Sequence, residues 1–279
     1  MQTKKSRKPV KPVTVILYIF LIALAVIYVA PLLWMLSVSF KDNAGVMAAP
    51  FALPEVFHWE NYQQAWTMGK LGTALVNSVL VCGITLVVSL FFGAMAAFAI
   101  ARMRWKLSEA AHTFFLIGMM VPVHCILIPL FVRFAGLGLT NSRVGLMIPY
   151  ITFSLPMTIF LLTGFFKSMP GELFEAAAID GATPWQADRY ITLPLMRNVC
   201  GTCVTLASVA MVSQFDIIYM TTKGGPGTST LNLPIYLYKA ATLENNYGKA
   251  NAVGVVQIII GITLVILIKG LFREKKEAA

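Results

Sequence analysis

The chain has 279 residues, 58% of them hydrophobic and only 12% charged, with a formal net charge of +10. An average soluble domain carries roughly 25% charged residues, so these proportions exclude an ordinary soluble protein and point to lipid. The excess basic residues sit at the ends of long uncharged runs, which makes the charge topological information rather than a nucleic-acid footprint.

A hydrocarbon core of about 30 Å asks for roughly 20 mainly apolar residues per helical span, and open sheet edges cannot exist in it. Six runs qualify: Val13–Val38, Ala74–Ile100, Ala111–Val132, Gly145–Phe165, Gly201–Tyr219 and Ala252–Ile268. The expected fold class is all-α, a polytopic membrane protein with six transmembrane helices.

The first run follows Lys4, Lys5, Arg7, Lys8 and Lys11, a basic start that invites comparison with a signal peptide. Its length of 26 residues exceeds the usual apolar region of about 7–15, so it reads as an uncleaved span, peripheral to a five-span core. The loop after it holds FALPEVFHWENYQQAW. There Pro54, Trp59 and Tyr62 suit anchoring at the membrane interface or docking to an external partner.

Arg102–Ser108 form a tight basic turn after the second run. Pro122, Pro129, Pro149 and Pro156 permit kinks in the third and fourth, and His124 reads as a packed polar residue. The loop after the fifth run holds TTKGGPGTSTLNLPIYLY. Gly224, Gly225, Pro226 and Gly227 allow turns that other residues resist, as a flexible connector or a shaped loop that meets a ligand or partner.

With six spans both termini share one side, and that side collects 15 of the 22 basic residues. The positive-inside rule then places both termini in the cytoplasm. Cys82, Cys125, Cys200 and Cys203 fall in or beside spans, which argues against a disulfide framework or a metal pair.

Between the fourth and fifth runs lies EAAAIDGATPWQADRYITLP, residues 175–194, too polar to span and too patterned to be a loose connector. Pro170, Gly171, Glu172 and Glu175 make a helix start, with acids at the positive end of the dipole. The helix stops at Gly181, the usual left-handed cap. Thr183-Pro184-Trp185-Gln186 opens a second short helix as a capping box, and Leu193-Pro194 begins the fifth span. The first helix, about 11 residues or roughly 16 Å, is too short to cross and marginal alone in water. Leu173, Phe174 and Ala177 give it an apolar stripe, suited to docking or to lying in the interface.

No GxxxxGK[ST] occurs, so ATP binding by that route is excluded, and no HExxH occurs. The one clear intramembrane ionisable group is Asp216, fewer than ion-driven transport generally uses. Asn77, Ser154, Thr158, Ser208 and Gln214 are among the neutral polar residues of the spans. They bond helix to helix or, with Asp216, line a path for an uncharged, hydroxyl-rich solute. Such a path needs an external energy source. An alternative is a self-sufficient ion-coupled secondary transporter or channel for a neutral polar solute.

Glu175-Ala176-Ala177, then Gly181, Ile191 and Leu193-Pro194 at their spacing, resemble the EAA signature of binding-protein-dependent ABC importer permeases. Asn77-Ser78, Ala97-Phe98-Ala99, Ala101-Arg102, Pro129-Leu130, Gly138-Leu139-Thr140-Asn141 and Ile179-Asp180-Gly181-Ala182 are similar to the sugar-importer branch. The resemblance covers about 70–270. It implies a non-catalytic type I importer permease in a prokaryotic cell membrane, paired with a second homologous permease and two ATPase subunits. ATP and Mg would sit on those ATPases, with no cofactor in this chain, and an extracytoplasmic sugar-binding protein would deliver the cargo.

The same resemblance implies that Glu175, Ala176, Ala177, Asp180 and Gly181 form a coupling helix against the ATPase. It marks Trp59, Tyr62, Gly224, Gly225 and Pro226 as candidate binding-protein contacts, although the glycine-rich stretch is more often seen in the partner permease. It also divides the chain into 1–70 (cytoplasmic N-terminus, first span and first outer loop), 71–269 (the ABC transmembrane type-1 domain) and 270–279 (a cytoplasmic tail).

Overall fold

The computed structural model describes residues 12–67, 70–140 and 142–272, and these contain helices and no strand. The basic residues at 4–11 and 273–276, Asn141 and most of the expected tail 270–279 lie outside the described residues.

In chain order, α1 (Pro12–Val38) is followed by the short α2 (Asn43–Ala48) and α3 (Glu60–Thr67), then by α4 (Leu71–Arg102). The third apolar run is not one straight helix. It forms α5 (Ser108–Met120) and α6 (Val123–Gly136), bent by 93°. Pro122 is the cause: it has no N–H to give and holds Val121 extended, at φ −73° and ψ 114°.

Next come α7 (Arg143–Ser168), α8 (Glu172–Ile179), α9 (Pro184–Ala187), a π-helical turn (Asp188–Thr192) and α10 (Leu193–Leu195). The fifth run also differs from expectation: α11 (Arg197–Val212) stops short and α12 (Asp216–Thr221) begins after a break. Asn232 Nδ2 donates to the Gln214 carbonyl at 2.7 Å, which gives that break a partner from a distant loop. The chain closes with α13 (Leu233–Thr242) and α14 (Tyr247–Phe272). Four helices are long and apolar enough to cross a membrane, and up to six spans result if two bent pairs each count as one: α5 with α6, and Pro184–Leu195 with α11, bent by 55°.

The most extensive helix contact is between α4 and α7, and small residues permit it. An added Cβ on Gly93 would lie 2.7 Å from Thr158 Cγ2, and the Ser89 and Ser154 hydroxyls are 2.6 Å apart. Gly201 of α11 similarly admits Phe272 of α14, at 2.6 Å from a Cβ.

Two buried clusters result. One includes Leu71, Val81, Leu146, Ile217, Ile235 and Val253; the other, near α8, includes Ala97, Leu162, Phe166, Met169 and Met196. The helix α1 packs mainly on α14, and none of its most apolar window is buried. At the end of the bundle opposite α8, Asn61 donates to the carbonyls of Ser39 (2.9 Å) and Lys41 (2.8 Å). Gly248 crosses so closely there that a Cβ would stand 2.2 Å from the Lys41 carbonyl.

Candidate functional site

The segment from α8 to α10 is set by local chemistry. Glu172 and Glu175 lie in the first turn of α8. At its end Ala182 N–H donates to the Ala177 carbonyl at 2.9 Å and Gly181 N–H to that of Ala178 at 3.1 Å. Gly181 has φ +82°, so these bonds form a Schellman cap. Nothing crowds the position a Cβ would take; the glycine is required by the backbone conformation. Gly171 and Asp180 serve as caps, so α8 has 8 residues and is shorter than expected. Thr183 N–H then donates to Gln186 Oε1 at 2.8 Å and Gln186 N–H to Thr183 Oγ1 at 3.4 Å, the expected capping box.

The expected stripe divides between two faces. Phe174 and Ala177 are half-buried, with Phe174 packed on the nearby cluster and its ring 4.5 Å below the Arg102 guanidinium. Leu173 faces outward, as do Glu175, Ala176 and Asp180. Ile179 (86% exposed), Trp185 and Tyr190 (each 69%) extend that outward face. Exposed apolar residues of this kind suit contact with a partner or with the membrane interface.

Of the candidate path residues, Ser154, Thr158 and Gln214 share one cavity of about 410 Å³ between α7 and α11. Its wall is otherwise mostly apolar, with Phe153, Met157, Leu206 and Met211 among the lining. Thr158 Oγ1 donates to the Ser154 carbonyl at 2.9 Å, so that hydroxyl also serves helix bonding. Ser208 is buried apart from this wall. Asp216 is half-buried, with Oδ2 3.2 Å from His124 Nε2; His124 is therefore a paired, exposed group and not a packed one. Their neighbours Ile217 and Val123 line the cavity.

Asn77 lies elsewhere. Its amide donates to the carbonyls of Thr228 (2.7 Å) and Leu231 (3.1 Å) and accepts from Arg143 Nη2 (2.9 Å), while Arg143 Nε reaches the Ser229 carbonyl at 3.1 Å. The glycine-rich stretch is accordingly a shaped loop. Gly224 (φ +88°) is buried, Pro226 is exposed, Gly225 lies between them, and Thr230 Oγ1 closes the turn on the Gly225 carbonyl at 2.7 Å.

On the same end Trp59 is 65% exposed and packs edge-on to Phe40 at 4.7 Å between centroids. The Tyr62 hydroxyl meets Ser39 Oγ at 2.7 Å, and burial pushes its phenol above the ordinary range, so it acts as a neutral hydroxyl. Among the described residues no group of three or more His, Cys, Asp or Glu side chains could hold a metal ion.

Residues 89–274 match the family described as binding-protein-dependent transport system inner membrane component. The chain belongs to that family. The permease is 32% identical to the diacetylchitobiose uptake system permease protein NgcG of Streptomyces coelicolor, over 91% of this chain and 83% of the relative. It is also 32% identical to the multiple sugar-binding transport system permease protein MsmG of Streptococcus mutans, over 90% of each chain. Its fold matches a chain of a bacterial ABC transporter for alginate import, with TM-score 0.75 and 21% identity, over 95% of the permease and 100% of that chain.

The permease is therefore a multi-pass component of the inner membrane with the ABC importer permease fold, a non-catalytic subunit of a system that depends on a binding protein. Two residues escaped the sequence reading, Arg143 and Lys41, and a third, His124, was read without its partner. Arg143 is an ordinary helix-start cation until Asn77 is placed beside it. His124 gains a meaning only from Asp216, and Lys41 gives no signal in the sequence that it is buried.

Proposed function

We propose that this permease forms, with a second homologous permease, the path by which a sugar or oligosaccharide enters the cell. An extracytoplasmic sugar-binding protein delivers the cargo, and two ATPase subunits, which hold ATP and Mg, drive the cycle. The relatives named for diacetylchitobiose and multiple sugars support the cargo class. The permease has six spans, counting each bent pair as one, with both termini in the cytoplasm.

The observation that carries this reading is the segment 172–195. It is an exposed, apolar-faced helix pair, capped at each turn and seated on the bundle through Phe174 and Arg102. In this reading α8 is the coupling helix: Glu175, Ala176, Asp180 and the outward Ile179 meet the ATPase, and Gly181 sets the bend. Ser154, Thr158 and Gln214 contribute one wall of the path, and Trp59 and Pro226 present the face met by the binding protein.

Reconstitution of the permease with its co-expressed partners tests this. Addition of loaded sugar-binding protein is expected to stimulate ATP hydrolysis severalfold; an ATPase rate indifferent to it would end the reading. Gly181→Leu forces a bulky side chain into a left-handed conformation that disfavours it by about 1–2 kcal/mol. The variant is expected to insert normally and to lose at least tenfold in uptake, and normal uptake would remove α8 from the coupling role.

A further inference from the structure

We propose that the break between α11 and α12 carries an entry subsite for an uncharged sugar. The rings of Phe215, Tyr219 and Tyr238 form its platform, and the His124–Asp216 pair forms its hydrogen-bonding edge. The inference rests on the transport reading above and adds a site to that path, beside the cavity between α7 and α11.

Two apolar runs are interrupted, between α5 and α6 at Pro122 and between α11 and α12 after Val212. Broken helices are tolerated in a membrane where the freed backbone is buried in protein or lines a cavity, and transporter substrate sites gather at such breaks. His124 stands just after the first break and Asp216 just after the second, and the pair, 3.2 Å apart, joins them. Val123, Gln214 and Ile217 of the same two stretches line the cavity. The pair therefore lies at the cavity's edge.

Its exposure does not suit a structural tie. The His124 side chain is 70% exposed and that of Asp216 43%, and an ion pair so open contributes little to stability. An ionisable group is also costly to place in a span. Asp216 offers two acceptor oxygens, and the imidazole both gives and accepts hydrogen bonds; together they complement neighbouring hydroxyls. A carboxylate at this edge disfavours an acidic sugar.

The platform adjoins the pair. The rings of Phe215 and Tyr219 stack at 5.0 Å between centroids with 17° between planes, and Tyr238 meets them at 5.2 and 5.0 Å. The Tyr219 and Tyr238 hydroxyls are 3.3 Å apart. All three residues are half-buried, so the cluster keeps an open side. Aromatic faces offer apolar surface and tyrosines add a polar handle, which matches a sugar ring with a C–H face and a rim of hydroxyls. Aromatics that anchor a protein at the membrane interface need no such company; here Phe215 lies between Gln214 of the cavity wall and Asp216 of the pair.

The test uses the permease in proteoliposomes with its co-expressed permease, ATPases and binding protein, and reads sugar accumulated per ATP hydrolysed. Maltose, trehalose, melibiose and diacetylchitobiose are offered singly, and the one best transported by wild type is the probe. Tyr219→Leu and Asp216→Asn are each expected to lower the ratio severalfold, with little change in unfolding temperature. Tyr219→Phe, which keeps the ring, is expected to retain most of it. A wild-type ratio in both Tyr219→Leu and Asp216→Asn would overturn the proposal. Equal losses in Tyr219→Phe and Tyr219→Leu would overturn it too, since the sugar would not then rest on the ring. So would a loss that comes with a marked fall in unfolding temperature in both variants, which would assign these residues to packing. Should Tyr219→Leu fail to assemble, the nearly isosteric Asp216→Asn decides. A wild type whose ATPase ignores loaded binding protein would end the transport reading and the subsite together, whereas a responsive wild type with unaltered variants ends the subsite alone.

Discussion

Asn77 and Arg143 join three stretches of chain that are far apart in sequence: the start of α4, the start of α7 and the loop at 228–231. Asn77→Ala would leave two carbonyls and one guanidinium nitrogen without their partner. A buried polar group stranded in this way costs about 1–3 kcal/mol. Thermal unfolding in detergent is expected to show a loss of that order, together with faster proteolysis within the loop at 222–232. Asn77→Asp keeps the acceptor for Arg143 and is expected to recover part of the loss; no change in either variant would show that the loop holds itself. The contrast with Gly181 explains what a sequence discloses at this scale. Gly181 could be read directly because its requirement is local, a left-handed residue after a run of helix formers. Asn77 could be read only as polar, since its partners lie between 66 and 154 residues away. The same holds for Lys41, whose burial is made by a loop that folds back over it.

Among the elements, α4 and α7 form the seam on which the bundle depends. Gly93→Leu would press its side chain into Thr158, and overpacking of this kind costs about 1–3 kcal/mol. Gly93→Ala is expected to destabilise the purified protein, and Thr158→Ala in the same chain is expected to restore much of the loss, because it removes the methyl in conflict. Additive effects in that double-mutant cycle would show that the two residues do not share the seam. Element boundaries were legible where the chain carries its own punctuation. Pro122 announced a break in the third run, although not a bend of 93°. The break after Val212 has no proline or glycine to announce it, and its carbonyl partner is Asn232, which no local pattern links to it. The apolar stripe of α8 was visible, but not its division between bundle and surface, since that depends on where Arg102 and Phe166 stand.

For the whole molecule, apolar run length and the placement of basic residues carried the lipid setting, and the EAA pattern carried the family, because both are properties of composition and spacing. The side of each loop is a prediction with its own test. In a chain freed of its four cysteines, a single cysteine at exposed Pro226 is expected to react with an impermeant maleimide added to intact cells. One at exposed Ile179 is expected to react only after permeabilisation. The reverse pattern would invert the topology, and labelling of both positions from outside would break the six-span count.

The capped turns of 172–195 have a thermodynamic consequence for assembly. The Schellman bonds, the left-handed glycine, the capping box and two prolines at helix starts fix most backbone torsions of this segment before any partner arrives. A flexible segment of similar length would surrender about 1–2 kcal/mol of backbone entropy per residue on being immobilised. Here that ordering belongs to the folding of the permease itself, so a subunit that grips the segment meets a rigid body. If an ATPase grips the segment as proposed, its movement would pass to the spans with little lost in local bending.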